Sequence, residues 1–141
     1  MLAMPSRSVR ISAFAVSLLA LATLTPKVGA AVRIGGSSFS ANGQIARDYQ
    51  YTGACPVDLK FDWGVQDTSR SSIAYSITRS DGPRITRSLN HPGGNRSVPI
   101  ADHWRLGNNS PRFRDFRGWE ELNIESPNRA AKRIEFTIHC R

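Results

Sequence analysis

The segment richest in potential chemistry in this 141-residue sequence is RLGNNSPRFRDFRGW, residues 105–119. Turn-forming residues precede arginines that alternate with aromatic residues, which predicts an exposed loop. Arginine guanidinium groups bind phosphate, sulfate or carboxylate through paired hydrogen bonds, and aromatic rings can stack on a base or sugar or insert at a membrane surface. The alternative is that the rings fold under the loop and the arginines are only solvated. The candidate binding residues are Arg112, Phe113, Arg114, Phe116 and Arg117.

The other reactive residue types form no recognisable catalytic or metal-binding pattern. Asp102 and His103 are adjacent, as are Glu120 and Glu121, so on a strand the members of each pair point to opposite faces. A hydrolytic triad needs its three groups in contact, and a glycosidase needs two converging carboxylates. The scattered histidines predict solvated surface side chains rather than metal ligands. We therefore predict no catalytic residues, no metal site and no cofactor; the histidines are His91, His103 and His139.

The elements that must position these residues are strands. Apolar and polar residues alternate without a break from Val57 to Gln66, which is the period of a strand with one buried face. The same period recurs near 73–79, 84–89, 97–106, 119–125 and 131–140, with Gly, Pro, Asn and Ser clusters between the runs. The pattern predicts an all-β protein, an antiparallel immunoglobulin-like sandwich of about six to seven strands without helices.

The parity of the strands predicts which side chains lie in the core. Trp63 and Trp104 share the inward parity of their strands, whereas Trp119 is out of parity and could lie on a bulge. Arg87 lies between Ile85 and Leu89 on the side of its strand that should face the core. An inward-facing charge is typical of an edge strand that resists aggregation. Asp102 also has inward parity, and the sequence offers no explanation for it.

The first thirty residues have the composition of a secretory signal peptide. Arg7 and Arg10 form a basic start, the apolar run from Ile11 to Leu24 follows, and small residues end the segment at Ala30. The apolar run is shorter than the stretch of about 20 residues that spans a bilayer. We expect cleavage after Ala30 or Ala31, export to the periplasm or outside the cell, and no membrane span in the mature chain.

The mature chain is long enough for one domain. Residues 1–30 hold three of the 19 basic residues and none of the 11 acidic residues, so the mature net charge falls from +8 to +5. About 110 residues support a single core. We predict a signal peptide at 1–30, an N-terminal extension at 31–50 that could contain a first strand, and the sandwich domain at 51–141.

Cys55 and Cys140 are the only cysteines, and in an exported chain they predict one disulfide. Both have inward parity, and alternating strand directions bring the start of the strand after Cys55 to the end of the strand before Cys140. A metal pair or a free nucleophile is the alternative, but a structural metal site requires four ligands. Closure of such a long loop contributes roughly 4 to 5 kcal/mol to stability.

An ordered set of motifs resembles a family of short exported bacterial domains with an immunoglobulin-like fold. The motifs are YTGACP, YSITRSDGP, the Trp of DHWRLG, GWEELNIESPN and FTIHC, and they cover about residues 50–141. The resemblance implies the fold and a disulfide between the first and last motifs. The family has no assigned activity, so the resemblance implies no mechanism.

Three functional hypotheses follow from the sequence. The first is a secreted, non-catalytic binding module whose ligand is an anionic cell-envelope polymer, bound by the 105–119 loop. The second is a secreted inhibitor or effector that acts on another protein through the same loop. The third is a small hydrolase whose His and acid residues converge only in space. We favour the first, and we do not expect nucleic acid to be the physiological partner.

Overall fold

The computed structural model describes residues 31–107 and 114–141. These residues form nine strands and no helix, so none of them belongs to a helix that could cross a membrane. The strands are β1 (Arg33–Ala41), β2 (Gln44–Ile45), β3 (Gln50–Gly53), β4 (Val57–Gln66), β5 (Ser71–Arg79), β6 (Arg84–His91), β7 (Ser97–Leu106), β8 (Asp115–Ser126) and β9 (Ala130–Cys140).

Two sheets pack face to face as a sandwich. The four-stranded sheet has the order β2-β1-β4-β7, and the five-stranded sheet has the order β3-β9-β8-β5-β6. In the immunoglobulin fold, strands A, B and E are neighbours in one sheet, and G, F, C and C′ in the other. Here β1, β4 and β7 occupy the first set of positions, and β9, β8, β5 and β6 occupy the second. The predicted immunoglobulin-like sandwich is confirmed.

All six predicted strands are present, and the segment from 33 to 53 adds three more. β1 pairs with β4 over most of its length, with a bulge between Ile34 and Ser37. The sequence predicted antiparallel sheets, but β3 pairs with β9 in parallel, so the five-stranded sheet is mixed. β1 lies in the extension at 31–50 where a first strand was considered, but periodicity did not locate it because Gly and Ser occupy many of its positions. Periodicity missed β2 and β3 because they are too short to show a period.

The core lies between the sheets and consists of the residues with inward parity. In β4 every second residue from Val57 to Val65 is buried, as the alternation predicts. Trp63 and Trp104 are 1% and 5% exposed, so their predicted burial is confirmed. Aromatic rings from both sheets meet at the centre with centroids 5.3 to 6.5 Å apart: Phe39, Phe61, Trp63, Trp104, Phe116 and Phe136.

The disulfide between Cys55 and Cys140 is confirmed, with Cα atoms 5.5 Å apart. Cys55 lies just before β4, in the four-stranded sheet, and Cys140 ends β9, in the five-stranded sheet. The parallel pairing of β3 with β9 places Gly53 opposite Cys140 and thereby brings Cys55 to its partner. The bond links the sheets at one end of the sandwich, whereas the antibody disulfide joins strands B and F.

Two details of the strands differ from the expectations. Trp119 does not lie on a bulge, because the pairing of β8 with β9 is regular there, and the residue simply faces outward. The bulge in this part of the sheet lies instead between β5 and β8, at Ala74 and Tyr75. β6 is an edge strand, as predicted from Arg87, which is exposed.

Candidate functional site

Both ends of the segment predicted to be one loop from 105 to 119 are strand. Arg105 and Leu106 end β7, and β8 begins at Asp115, so the connection between the strands spans only 107–114. The predicted loop was wrong at residues 115–119, because these residues form the start of β8. The predicted binding residues Arg112 and Phe113 lie outside the described residues, whereas Arg114, Phe116 and Arg117 lie within them.

Phe116 packs into the sandwich rather than facing solvent. Its ring meets Trp104 edge-on at 5.7 Å between centroids and lies 6.0 Å from the ring of Phe136. Gly118 leaves space for this arrangement, because a Cβ atom there would lie 2.4 Å from the Phe116 ring. Phe116 therefore anchors the start of β8 to the core.

Arg117 and Trp119 have the opposite parity and lie on the outer face of the five-stranded sheet. The side chain of Arg117 is 81% exposed, and its guanidinium is 3.8 Å from Glu135 on β9. Trp119 is half-buried because the guanidinium of Arg133 lies 4.0 Å from its ring centroid. Arg133 also donates a hydrogen bond of 3.0 Å to Glu121. We call Arg117, Trp119, Glu121 and Arg133 the Trp119 face.

An open groove of about 720 Å³ adjoins the Trp119 face and shares Glu121 with it. Thr78 and Asn123 supply a hydroxyl and an amide, and the Asn123 Nδ2 group donates to Thr78 Oγ1 at 3.3 Å. Arg84 donates a hydrogen bond to the carboxylate of Glu125 on the rim of the groove. The groove is lined by Thr78, Arg84, Glu121, Asn123, Ile124, Glu125, Arg129, Ala130 and Ala131.

A buried charge cluster joins the two sheets directly behind the Trp119 face. Arg79 on β5 donates from Nε to Glu120 Oε2 on β8 at 3.2 Å, and its Nη2 donates to Asp102 Oδ2 on β7. The same Nη2 donates to the backbone oxygen of His103 at 2.8 Å, and the guanidinium lies 5.3 Å from the centroid of Trp104. We call Arg79, Asp102 and Glu120 the charge cluster.

The charge cluster is almost inaccessible to water. The side chains of Arg79 and Asp102 are 14% and 9% exposed, and that of Glu120 is fully buried. Burial and the charge of Asp102 together raise the pKa of Glu120 to about 8, against the opposing effect of Arg79. Glu120 Oε1 has no hydrogen-bond partner among the described residues.

The sequence contains a signal for this cluster in the parity of its charged residues. Arg79 continues the inward parity of Ile73 and Ile77, and Glu120 shares the parity of Leu122. Together with Asp102, three charged residues of mixed sign therefore occupy core positions on three strands. Buried charges are found where they are paired, so this combination indicates a cluster between the sheets.

The histidines differ in their surroundings. The prediction that His91 is solvated was wrong, because it is fully buried. Its Nε2 group faces the backbone oxygens of Val65 and Arg96, and its Nδ1 atom accepts a hydrogen bond of 3.0 Å from the Gly93 N–H group. The side chain thus ties the turn before β7 to the end of β4.

His139 meets an acid, but on an exposed surface. Its Nδ1 atom lies 2.7 Å from Asp115 Oδ1, and the two side chains are 41% and 72% exposed. His103 is exposed on β7. In the described parts of the chain, no group of three or more His, Cys, Asp or Glu side chains is arranged to hold a metal ion.

Comparison with known proteins found no matching family model, no matching curated protein and no matching solved structure.

Proposed function

We propose that the protein is an exported, non-catalytic binding module that binds an anionic polymer of the cell envelope through the Trp119 face and the adjoining 107–114 connection. The observation that carries the proposal is the alignment of Arg117, Trp119 and Arg133 on one outward face. In the sequence, β8 directly follows the segment that contains Arg112, Phe113 and Arg114. The motif resemblance to short exported bacterial domains supports the same kind of protein.

The electrostatics of the face suit a repeating anionic ligand. Arg117 is highly exposed and its ion pair with Glu135 is long, so its guanidinium can exchange this partner for a ligand anion at little cost. Arg133 combines a charge with a stacked indole, which leaves a flat surface on which a sugar ring or other planar group can rest. The net charge of +5 after residue 30 favours the approach of a polyanion.

Export and the disulfide are consistent with each other. The N-terminal segment has the composition of a signal peptide, and a disulfide persists in oxidising compartments outside the cytoplasm. An envelope polymer would meet the protein in that compartment.

The test is binding of the purified protein to teichoic acid and dextran sulfate, with neutral dextran as the control polymer. Affinity should fall steeply as salt increases, because bound arginines release counterions from the polyanion. The triple variant Arg112→Ser, Arg114→Ser, Arg117→Ser should bind at least tenfold more weakly at low salt, and so should the double variant Arg117→Ser, Arg133→Ser. Each lost contact should reduce the slope of log affinity against log salt by roughly 0.7.

The matched control is the double variant Arg87→Ser, Arg96→Ser, which removes two exposed charges from the β6 edge and the following turn. It should retain affinity close to that of the unmodified protein. Equal losses in the control and test variants would show that only overall charge matters. Absence of polyanion binding at low salt would contradict the proposal.

A further inference from the structure

The charge cluster has one more carboxyl group than its cation can neutralise. One guanidinium, that of Arg79, faces the two carboxyl groups of Asp102 and Glu120. With both acids ionised the buried cluster would carry a net charge of −1, which is costly where water is excluded. With one acid protonated the cluster is neutral.

No other described residue supplies a second cation to the cluster. The cross-strand neighbour of Glu120 on β9 is Ile134, and that of Asp102 on β4 is Phe61. Asp81, in the turn after β5, also acts on Arg79, and its charge is negative. The surrounding side chains therefore increase the need for a proton rather than relieve it.

The positions of the oxygen atoms indicate where the proton lies. Both Asp102 Oδ2 and Glu120 Oε2 accept hydrogen bonds from Arg79. Glu120 Oε1 is buried and has no partner, and Glu120 is the more deeply buried of the two acids. An ionised carboxylate at this position would leave a charged oxygen without compensation.

We propose that Glu120 is protonated in the folded protein and that its proton makes the junction between the two sheets a pH-sensitive contact. Loss of the proton leaves a buried negative charge at the point where Arg79 joins β5, β7 and β8. The repulsion between Glu120 and Asp102 then weakens the hydrogen bonds of Arg79 and its contact with Trp104. This inference does not depend on the proposed ligand.

The sign of the effect follows from linkage. The pKa of Glu120 is about 8 in the folded protein, against 4.5 for an ordinary glutamate. The folded state therefore binds the proton more tightly than the unfolded state, and stability from this proton is complete below about pH 4.5 and is lost as pH rises to about 8. Over this range the unfolding equilibrium constant of the unmodified protein, divided by that of Glu120→Gln, should rise by up to about tenfold per pH unit.

The first experiment measures denaturant unfolding at a series of pH values for the unmodified protein, Glu120→Gln and Glu121→Gln. Gln at position 120 retains an acceptor for Arg79 and carries no titrating proton, so the pH-dependent loss should disappear. Glu121 is the adjacent residue on the outward face, and its substitution should leave the loss unchanged. Parallel profiles for the unmodified protein and Glu120→Gln would overturn the proposal.

The second experiment observes the proton directly and does not require a stability change. The sequence has only four glutamates, so carbon-13 labelling of glutamate side-chain carboxyl groups gives four resonances in an NMR titration. One should titrate near pH 8 and be absent from Glu120→Gln, although its midpoint belongs to the coupled pair. In Asp102→Asn the same resonance should titrate at lower pH, because Glu120 becomes the only anion facing Arg79. A glutamate spectrum with no titration above pH 7, or an unchanged midpoint in Asp102→Asn, would contradict the assignment.

Discussion

At the residue scale, several polar side chains in the core of this sandwich hold backbone groups or other charges in place. His91 is the clearest case, because one ring nitrogen faces two backbone oxygens and the other accepts a backbone N–H. Asp67 has a similar role nearby, where hydrogen bonds from Ser71 and the Ser69 N–H group lower its pKa. These residues shape the turns that connect the sheets.

Substitution of His91 by Ala should lower the free energy of unfolding by about 2 to 4 kcal/mol, since it leaves buried backbone groups without partners and creates a cavity. Urea unfolding monitored by tryptophan fluorescence measures this change. The matched control is His103→Ala on the exposed face of β7, which should change stability by less than about 0.5 kcal/mol. A similar small effect at both positions would contradict the role assigned to His91.

At the element scale, the two ends of β9 are held in different ways. Near its start, Lys132 donates to the backbone oxygen of Gly35 on β1 at 2.7 Å. At its end, Cys140 is bonded to Cys55, and the Arg141 N–H group donates to Gly53 at 2.8 Å. The short parallel strand β3 therefore depends on β9 for its position, and the disulfide secures this edge of the five-stranded sheet.

Removal of the disulfide by Cys55→Ala should lower the free energy of unfolding by roughly 4 to 5 kcal/mol under oxidising conditions, because the unfolded chain gains the freedom of a long open loop. In the presence of a reductant, the unmodified protein and the variant should unfold at nearly the same denaturant concentration. Hydrogen exchange at β3 should also accelerate in the variant. Equal stability of the two proteins under oxidising conditions would show that the loop is already restricted in the unfolded state.

At the scale of the whole molecule, the residue just after the expected cleavage site is tied to the sandwich. Val32 is buried, its N–H group donates to Asn128 Oδ1 at 2.8 Å, and its backbone oxygen accepts from Asn128 Nδ2 at 3.0 Å. Cleavage after Ala30 or Ala31 would remove the segment before this contact and leave the contact itself intact.

N-terminal sequencing of protein recovered from the culture medium or periplasm should therefore give a mature start at Ala31 or Val32. Asn128→Ala should not change this start, but it should lower stability by about 1 to 3 kcal/mol, because two part-buried backbone groups lose their partner. Recovery of an exported chain that still begins at Met1 would contradict the signal-peptide assignment.

The sequence by itself determined six of the nine described strands and the facing of most of their side chains. A strand exposes alternate residues to opposite faces, so the run from Val57 to Gln66 specifies its own buried side without reference to any partner. The same local rule located Trp104 in the core and marked Arg87 as part of an edge. The cysteine pairing was also determined, because the chain has only two cysteines.

The tertiary structure decided which strands are neighbours and therefore which charges meet. Arg79, Asp102 and Glu120 come from three strands in two sheets. Each is a charged residue at an inward position of its own strand. Alternation specifies that position but not the residue that meets it from another strand. The Trp119 face likewise depends on the register of β8 against β9, which brings Arg133 over the indole from a separate strand. Contacts between distant residues depend on the packing of the whole chain. The inward parity of Arg79, Asp102 and Glu120 indicates that they are paired, but it does not specify the partners.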